Sequence, residues 1–143
     1  MDKEFIITIF SENTVGLLSQ ITTVFTHRNV NIESITASES AIDGIYKHTI
    51  MVRNDEDKVA NLVKQIEKKI DVLQANCFVD DEIFILETSL LKLSTPSVLA
   101  DKEISRIVRR FDARIVEVNP TFTTVEKTGI TDDILEFFRC LND

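Results

Sequence analysis

Residues Phe5 to Ser38 change hydrophobic period twice, and that double change limits the folds open to the chain. Phe5, Ile7 and Ile9 alternate with Ile6, Thr8 and Phe10, the two-residue period of a strand with both faces at least half-buried. Leu17, Leu18, Ile21, Val24 and Phe25 then fall at i, i+1, i+4, i+7 and i+8, one face of a helix. A second strand follows through Val30-Asn31-Ile32. The polar run Ser11-Glu12-Asn13-Thr14-Val15-Gly16 joins strand to helix and admits two roles. Asn13 or Thr14 can cap the helix. Alternatively, the helix start offers unpaired N–H groups and a positive dipole end, which suit a small anion such as a carboxylate. Gly16, without a Cβ, lets such a ligand approach the backbone.

The same grammar runs on. Ser40 to Gly44 reads as a turn, and Tyr46, His48, Ile50 and Val52 mark a third strand. Asn54-Asp55 caps a second helix with an apolar stripe of Val59, Leu62, Val63, Ile66 and Ile70, and Asp71 to Phe78 supplies a fourth strand. The order β-α-β-β-α-β predicts an α+β, ferredoxin-like split βαβ unit, two helices on one face of a four-stranded antiparallel sheet. The order then restarts. Glu82 to Leu93 reads as a long strand and Ser94 to Ser97 as a loop. Ile104, Ile107, Val108 and Phe111 make a helix face. Strands follow over Ala113 to Val118 and Thr121 to Thr128, then a helix carrying Ile134, Phe137, Phe138 and Leu141. With the charged run Asp80-Asp81-Glu82 as boundary, the expected domains are 1–79 and a shorter ferredoxin-like 80–143 that lacks its last strand.

Composition removes several function classes. A net charge of −8 argues against nucleic-acid partners, whose binding rests on cationic neutralisation. The chain has no apolar run of membrane-spanning length, and Met1-Asp2-Lys3-Glu4 is not a signal-peptide start, so a cytoplasmic protein without membrane association is expected. Cys77 and Cys140 sit in apolar patterns as free thiols. The two histidines cannot supply a metal-ligand set. His27 complements the dipole at a helix end, and His48 alternates with apolar residues as a core or interface group. Three scattered glycines make no phosphate loop, so no catalytic residue, metal or cofactor is expected in this chain.

The run Glu12-Asn13-Thr14-Val15-Gly16-Leu17-Leu18, a helix, then Arg28-Asn29-Val30-Asn31-Ile32-Glu33-Ser34-Ile35-Thr36 resembles the first half of an ACT domain. More narrowly, it is similar to the small, regulatory subunits of acetolactate synthase (acetohydroxyacid synthase). The resemblance covers residues 3 to 78 well and continues more loosely from Asp81. It implies a non-catalytic homodimer in which two first domains join their sheets. A branched-chain amino acid, valine foremost, would sit at the seam, feedback-regulating a catalytic large subunit that carries thiamine diphosphate, FAD and magnesium. The implied effector residues are Asn13, Gly16 and Leu17 of one chain, facing Asn31 and Ile32 of the other. The family usually has Gly where this chain has Asn29, which a left-handed turn tolerates. It also usually has a further short strand and tail, so a cut chain or a sheet completed by something else is expected. A free-standing ACT-type sensor or interaction module is the alternative. That reading calls for a second Asn-x-x-Gly seat, and Ser94 to Ala100 contains no glycine.

Overall fold

A computed structural model describes residues 2–142, which form two compact units that divide between Phe84 and Ile85. The first unit runs β1 (Lys3–Glu12), α1 (Leu17–His27), β2 (Ile32–Glu39), β3 (Ile45–Asn54), α2 (Glu56–Glu67) and β4 (Val72–Val79). Its strands lie in the order β2-β3-β1-β4, every pair antiparallel. This is the predicted split βαβ sheet. Phe5, Ile7 and Ile9 from β1, and Ile50 and Val52 from β3, share one face because side chains alternate along a strand. Leu17, Ile21, Val24 and Phe25 from α1 and Val59, Leu62, Val63 and Ile66 from α2 close over them.

Two residues leave the predicted stripes. Leu18 is 45% exposed beside the start of α1. Ile70 is 97% exposed, because α2 ends at Glu67 and the chain has turned away before the stripe's next step. Asp55 caps α2 as expected, its carboxylate accepting the Lys58 N–H.

The second unit runs β5 (Glu87–Ser94), α3 (Thr95–Ala100), α4 (Lys102–Arg110), β6 (Arg114–Val118), β7 (Phe122–Gly129) and α5 (Thr131–Leu141). Its sheet has the order β5-β7-β6, and no fourth strand lies beside β5 among the described residues. Val108, Val125 and Phe137 form its centre, with the Phe111 and Phe137 rings 5.3 Å apart.

Two predictions here need correction. The strand expected over Glu82–Leu93 begins only at Glu87. Before it, Asp80–Glu82 coils into one 3₁₀ turn because the Glu82 carboxylate accepts the Val79 N–H at 2.9 Å, a local bond that competes with strand pairing. The expected loop at Ser94–Ser97 is instead the start of α3, with Pro96 in the first turn, where a missing N–H costs nothing.

Candidate functional site

Gly16 decides how α1 begins. Its φ of 84° lies in the left-handed region, and no side chain caps the helix, so neither Asn13 nor Thr14 plays the capping role. Leu17 N–H bonds the Thr14 carbonyl at 3.2 Å and Gln20 N–H bonds the Gly16 carbonyl at 3.1 Å. Between them, the N–H groups of Leu18 and Ser19 have no partner among the described residues, and the first turn carries no acidic side chain. The helix therefore presents free donors and the positive end of its dipole. A Cβ built on Gly16 would meet open space, so the glycine is required by its backbone angle and not by crowding.

This helix start opens onto a cavity of about 220 Å³ lined by Glu12, Asn13, Thr14, Leu17, Leu18, Ala37, Tyr46 and His48. Leu17, Leu18 and Ala37 supply its apolar part. His48 is 4% exposed and shares a 3.0 Å hydrogen bond, through Nε2, with the fully buried Ser11 hydroxyl. Its Nδ1 is buried without a partner, and burial lowers its pKa below 6.5, so the ring is neutral at pH 7. Residue periodicity missed this pair, although its signal was present: Ser11 and His48 share the core-facing parity of Ile9 and Ile50. The pair is not a nucleophile and base. The hydroxyl is sealed from any substrate and no third group orients Nδ1.

Asn31 and Ile32 lie past the other end of α1. Asn29 takes φ 54°, its N–H bonding the Thr26 carbonyl at 3.0 Å, while Val30 N–H bonds the Phe25 carbonyl at 2.9 Å. Those two bonds, with buried Val30 against Phe25, make a Schellman stop. The stop delivers Asn31 exposed at the mouth of a second cavity of about 240 Å³, with Phe25, Thr26, Asn29 and Val30, and sets Ile32 half-buried against the core. Within one chain, then, Asn13, Gly16 and Leu17 come together, and Asn31 and Ile32 form a separate group.

Elsewhere the chemistry is quiet. The Cys77 thiol is pushed up to about 11 by burial and by Glu82 and Glu56, which leaves it protonated and unreactive. No cluster of metal-ligating side chains occurs among the described residues, and no helix there is long and apolar enough to cross a membrane.

The family model for the AHAS small subunit-like ACT domain matches residues 7–74, and that for the small subunit of acetolactate synthase matches residues 86–143. The chain is 37% identical to the acetolactate synthase small subunit of Bacillus subtilis, over 90% of this chain and 75% of that protein. It belongs to the acetolactate synthase small-subunit family. It is also 34% identical to a probable acetolactate synthase small subunit of Methanothermobacter thermautotrophicus, over 96% of this chain and 82% of that one. The crystal structure of the small subunit from Thermotoga maritima superposes with a TM-score of 0.85 at 25% identity, over 96% of this chain and 85% of that chain. That small subunit thus shares both ferredoxin-like halves seen here, and in this chain the ACT half is the one that holds the open helix start.

Proposed function

We propose that this chain is a non-catalytic regulatory subunit that binds a branched-chain amino acid, valine foremost, and feedback-regulates the catalytic subunit of an acetolactate synthase. The observation that carries this reading is the uncapped start of α1, with free N–H donors over a cavity with an apolar wall. The effector's carboxylate takes the N–H groups near Gly16 and Leu17. Its ammonium takes carbonyl oxygens, the Asn13 amide orients it, and the hydrocarbon side chain lies along Leu17 and Leu18.

Half a seat is present in one copy. Strand β2 lies at the sheet edge with its outer backbone groups unpaired and Ile35 40% exposed, and a free edge of this kind invites a second copy across a two-fold axis. Pairing there sets Asn31 and Ile32 of one copy against the Asn13–Leu18 turn of the other. An effector at such a seam shifts the assembly only by its differential affinity for the seam's geometries, which is the physical content of feedback.

The test joins binding to regulation. Calorimetry of the chain with valine, leucine and isoleucine should show valine binding best. Added to its catalytic subunit, the chain should raise acetolactate formation and make it valine-sensitive, while consuming no pyruvate alone. A chain that stays monomeric by light scattering at tens of micromolar with valine, or that leaves the catalytic subunit's rate unchanged, overturns the proposal.

A further inference from the structure

One end of the first unit exposes large aliphatic side chains at three turns. The chain brings those turns together, because β1 hands over to α1, β2 to β3 and α2 to β4 at the same end of the sheet. Glu12 pairs with Ile45 across β1 and β3, and its N–H bonds the Asp71 carbonyl at 2.9 Å, which ties the β1–α1 turn to the α2–β4 turn. Val15 in the first of these is 100% exposed, and Ile70 in the second is 97% exposed. Leu73 stands at 53%, where the β1–β4 register shifts, and Ile42 in the β2–β3 hairpin at 61%. None of the four belongs to the core cluster. Turns ordinarily take Gly, Asn, Asp or Ser, whose backbone freedom and short polar side chains suit them. Aliphatic side chains gathered on turns at one end form the kind of patch that marks a protein-binding surface.

From this we infer that the turn end of the first unit, with Val15, Ile70 and Leu73 at its centre, docks an apolar surface of the catalytic subunit. The inference rests on the reading under Proposed function and deepens it by naming where that partner meets this chain. On that reading a second copy joins at the β2 edge and extends the sheet sideways. Strand β4 lies at the opposite edge, so Ile70 and Leu73 stay clear of the seam and available to a different protein. The docking end and the effector seat share one segment. Asn13, Thr14 and Leu17 line the cavity, and Val15 points from the same turn into solvent. Leu17 N–H bonds the Thr14 carbonyl at 3.2 Å and closes the turn around Val15 and Gly16, so the turn moves as a unit. An effector that draws the N–H groups near Gly16 and Leu17 toward its carboxylate therefore shifts Val15 as well. A catalytic subunit resting on Val15 senses occupancy through its differential affinity for the two positions of that turn.

Titration of the catalytic subunit with the full chain, read as acetolactate formation, tests this on the double variant Ile70→Ser, Leu73→Ser. Half-maximal stimulation is expected to need about tenfold or more of the double variant, because the contact loses two aliphatic side chains. Its affinity for valine by calorimetry and its mass by light scattering are expected to match the parent's. Leu90→Ser removes an aliphatic side chain of similar exposure from the second unit and is expected to stimulate at the parent's concentration. Ile70→Ser alone keeps the test open should the double variant fail to fold by circular dichroism. A folded variant that stimulates at the parent's concentration overturns this inference and leaves the regulatory reading standing. An equal loss in Leu90→Ser overturns the assignment to this end. A change in mass shows that the end is a contact between copies, and overturns the catalytic subunit as its occupant. A parent chain that fails to stimulate overturns the regulatory reading and this inference together.

Discussion

The two halves share a plan and differ at one turn. In each, a strand leads into helix, and the helix before the second strand, α1 in one unit and α4 in the other, ends in the same Schellman stop. Asn29 and Asp112 both sit at φ 54°, and Val30 and Ala113 both return an N–H to a carbonyl five residues back, that of Phe25 or Val108. The difference lies where the first strand hands over to its helix. In the first unit, Gly16 opens the turn and leaves donors over a cavity. In the second, Thr95 fills the equivalent place. Its N–H bonds the Thr121 carbonyl at 3.2 Å, and its buried hydroxyl bonds the Asn119 carbonyl at 2.6 Å and the Thr123 hydroxyl at 2.9 Å. Protein groups there satisfy the helix start, whereas the Leu18 and Ser19 N–H groups in the first unit have no partner among the described residues. One fold thus makes an open or a closed helix start according to a few residues at a single turn.

Substitutions in the two cores are expected to give the largest effects. Phe25→Ala and Phe137→Ala each remove a fully buried ring, for about 3–5 kcal/mol of local stability. Phe25→Ala should abolish effector binding, while Phe137→Ala should loosen the second unit and leave binding within a few-fold, read by urea melts beside calorimetry. Loss of binding in both variants equally breaks the comparison. Thr95→Val is the next largest. It should destabilise the second unit by about 1–3 kcal/mol by stranding the Asn119 carbonyl and the Thr123 hydroxyl, with valine affinity unmoved.

Asn31→Ala comes third, at about 0.5–1.5 kcal/mol of binding, if its amide meets the effector across the paired edge. No change in affinity would remove Asn31 from the seat. The smallest effect concerns pH. Burial holds the His48 pKa below 6.5 in the folded chain, so the unfolded chain binds the proton more tightly. Stability of the first unit is therefore full above pH 6.5 and falls as pH drops toward the lowered folded value. His48→Leu should flatten that acid slope in melts from pH 7 to 5, and an equal slope in both proteins would contradict it. Glu12 and Tyr46 line the same cavity and are left intact in this comparison.

Much of this was readable from residue spacing, and the remainder has identifiable causes. Periods of 2 and 3.6 expose the order of strands and helices because burial on one face repeats with the backbone's own geometry. The left-handed turn at Asn29 was suggested by the family resemblance, which puts a glycine there; Asn tolerates positive φ, and φ 54° agrees. Helix α3 was not readable: six residues carry too little periodicity, and Pro96 looks like a breaker when it is an N-terminal helix residue. The run Ile83-Phe84-Ile85-Leu86 looks like strand, yet Phe84 and Leu86 are exposed and Glu82 bonds locally instead. The Ser11–His48 contact spans 37 residues, and only the β1–β3 register brings it together.

The central claim is that the open turn at Gly16 is the effector seat, and calorimetry with valine on Gly16→Asp and Gly16→Ala tests it most directly. Both variants place a Cβ in open space on a left-handed backbone that Asp tolerates at least as well as Ala, so a loss confined to Gly16→Asp reports the carboxylate. Two unit negative charges about 4 Å apart repel by about 4 kcal/mol at an effective dielectric near 20. A screened third of that is about one decade of affinity. The account predicts that Gly16→Ala binds valine within a few-fold of the parent and that Gly16→Asp binds it at least tenfold more weakly, with folding and stimulation of the catalytic subunit retained. Gly16→Asp binding valine as tightly as Gly16→Ala would contradict it.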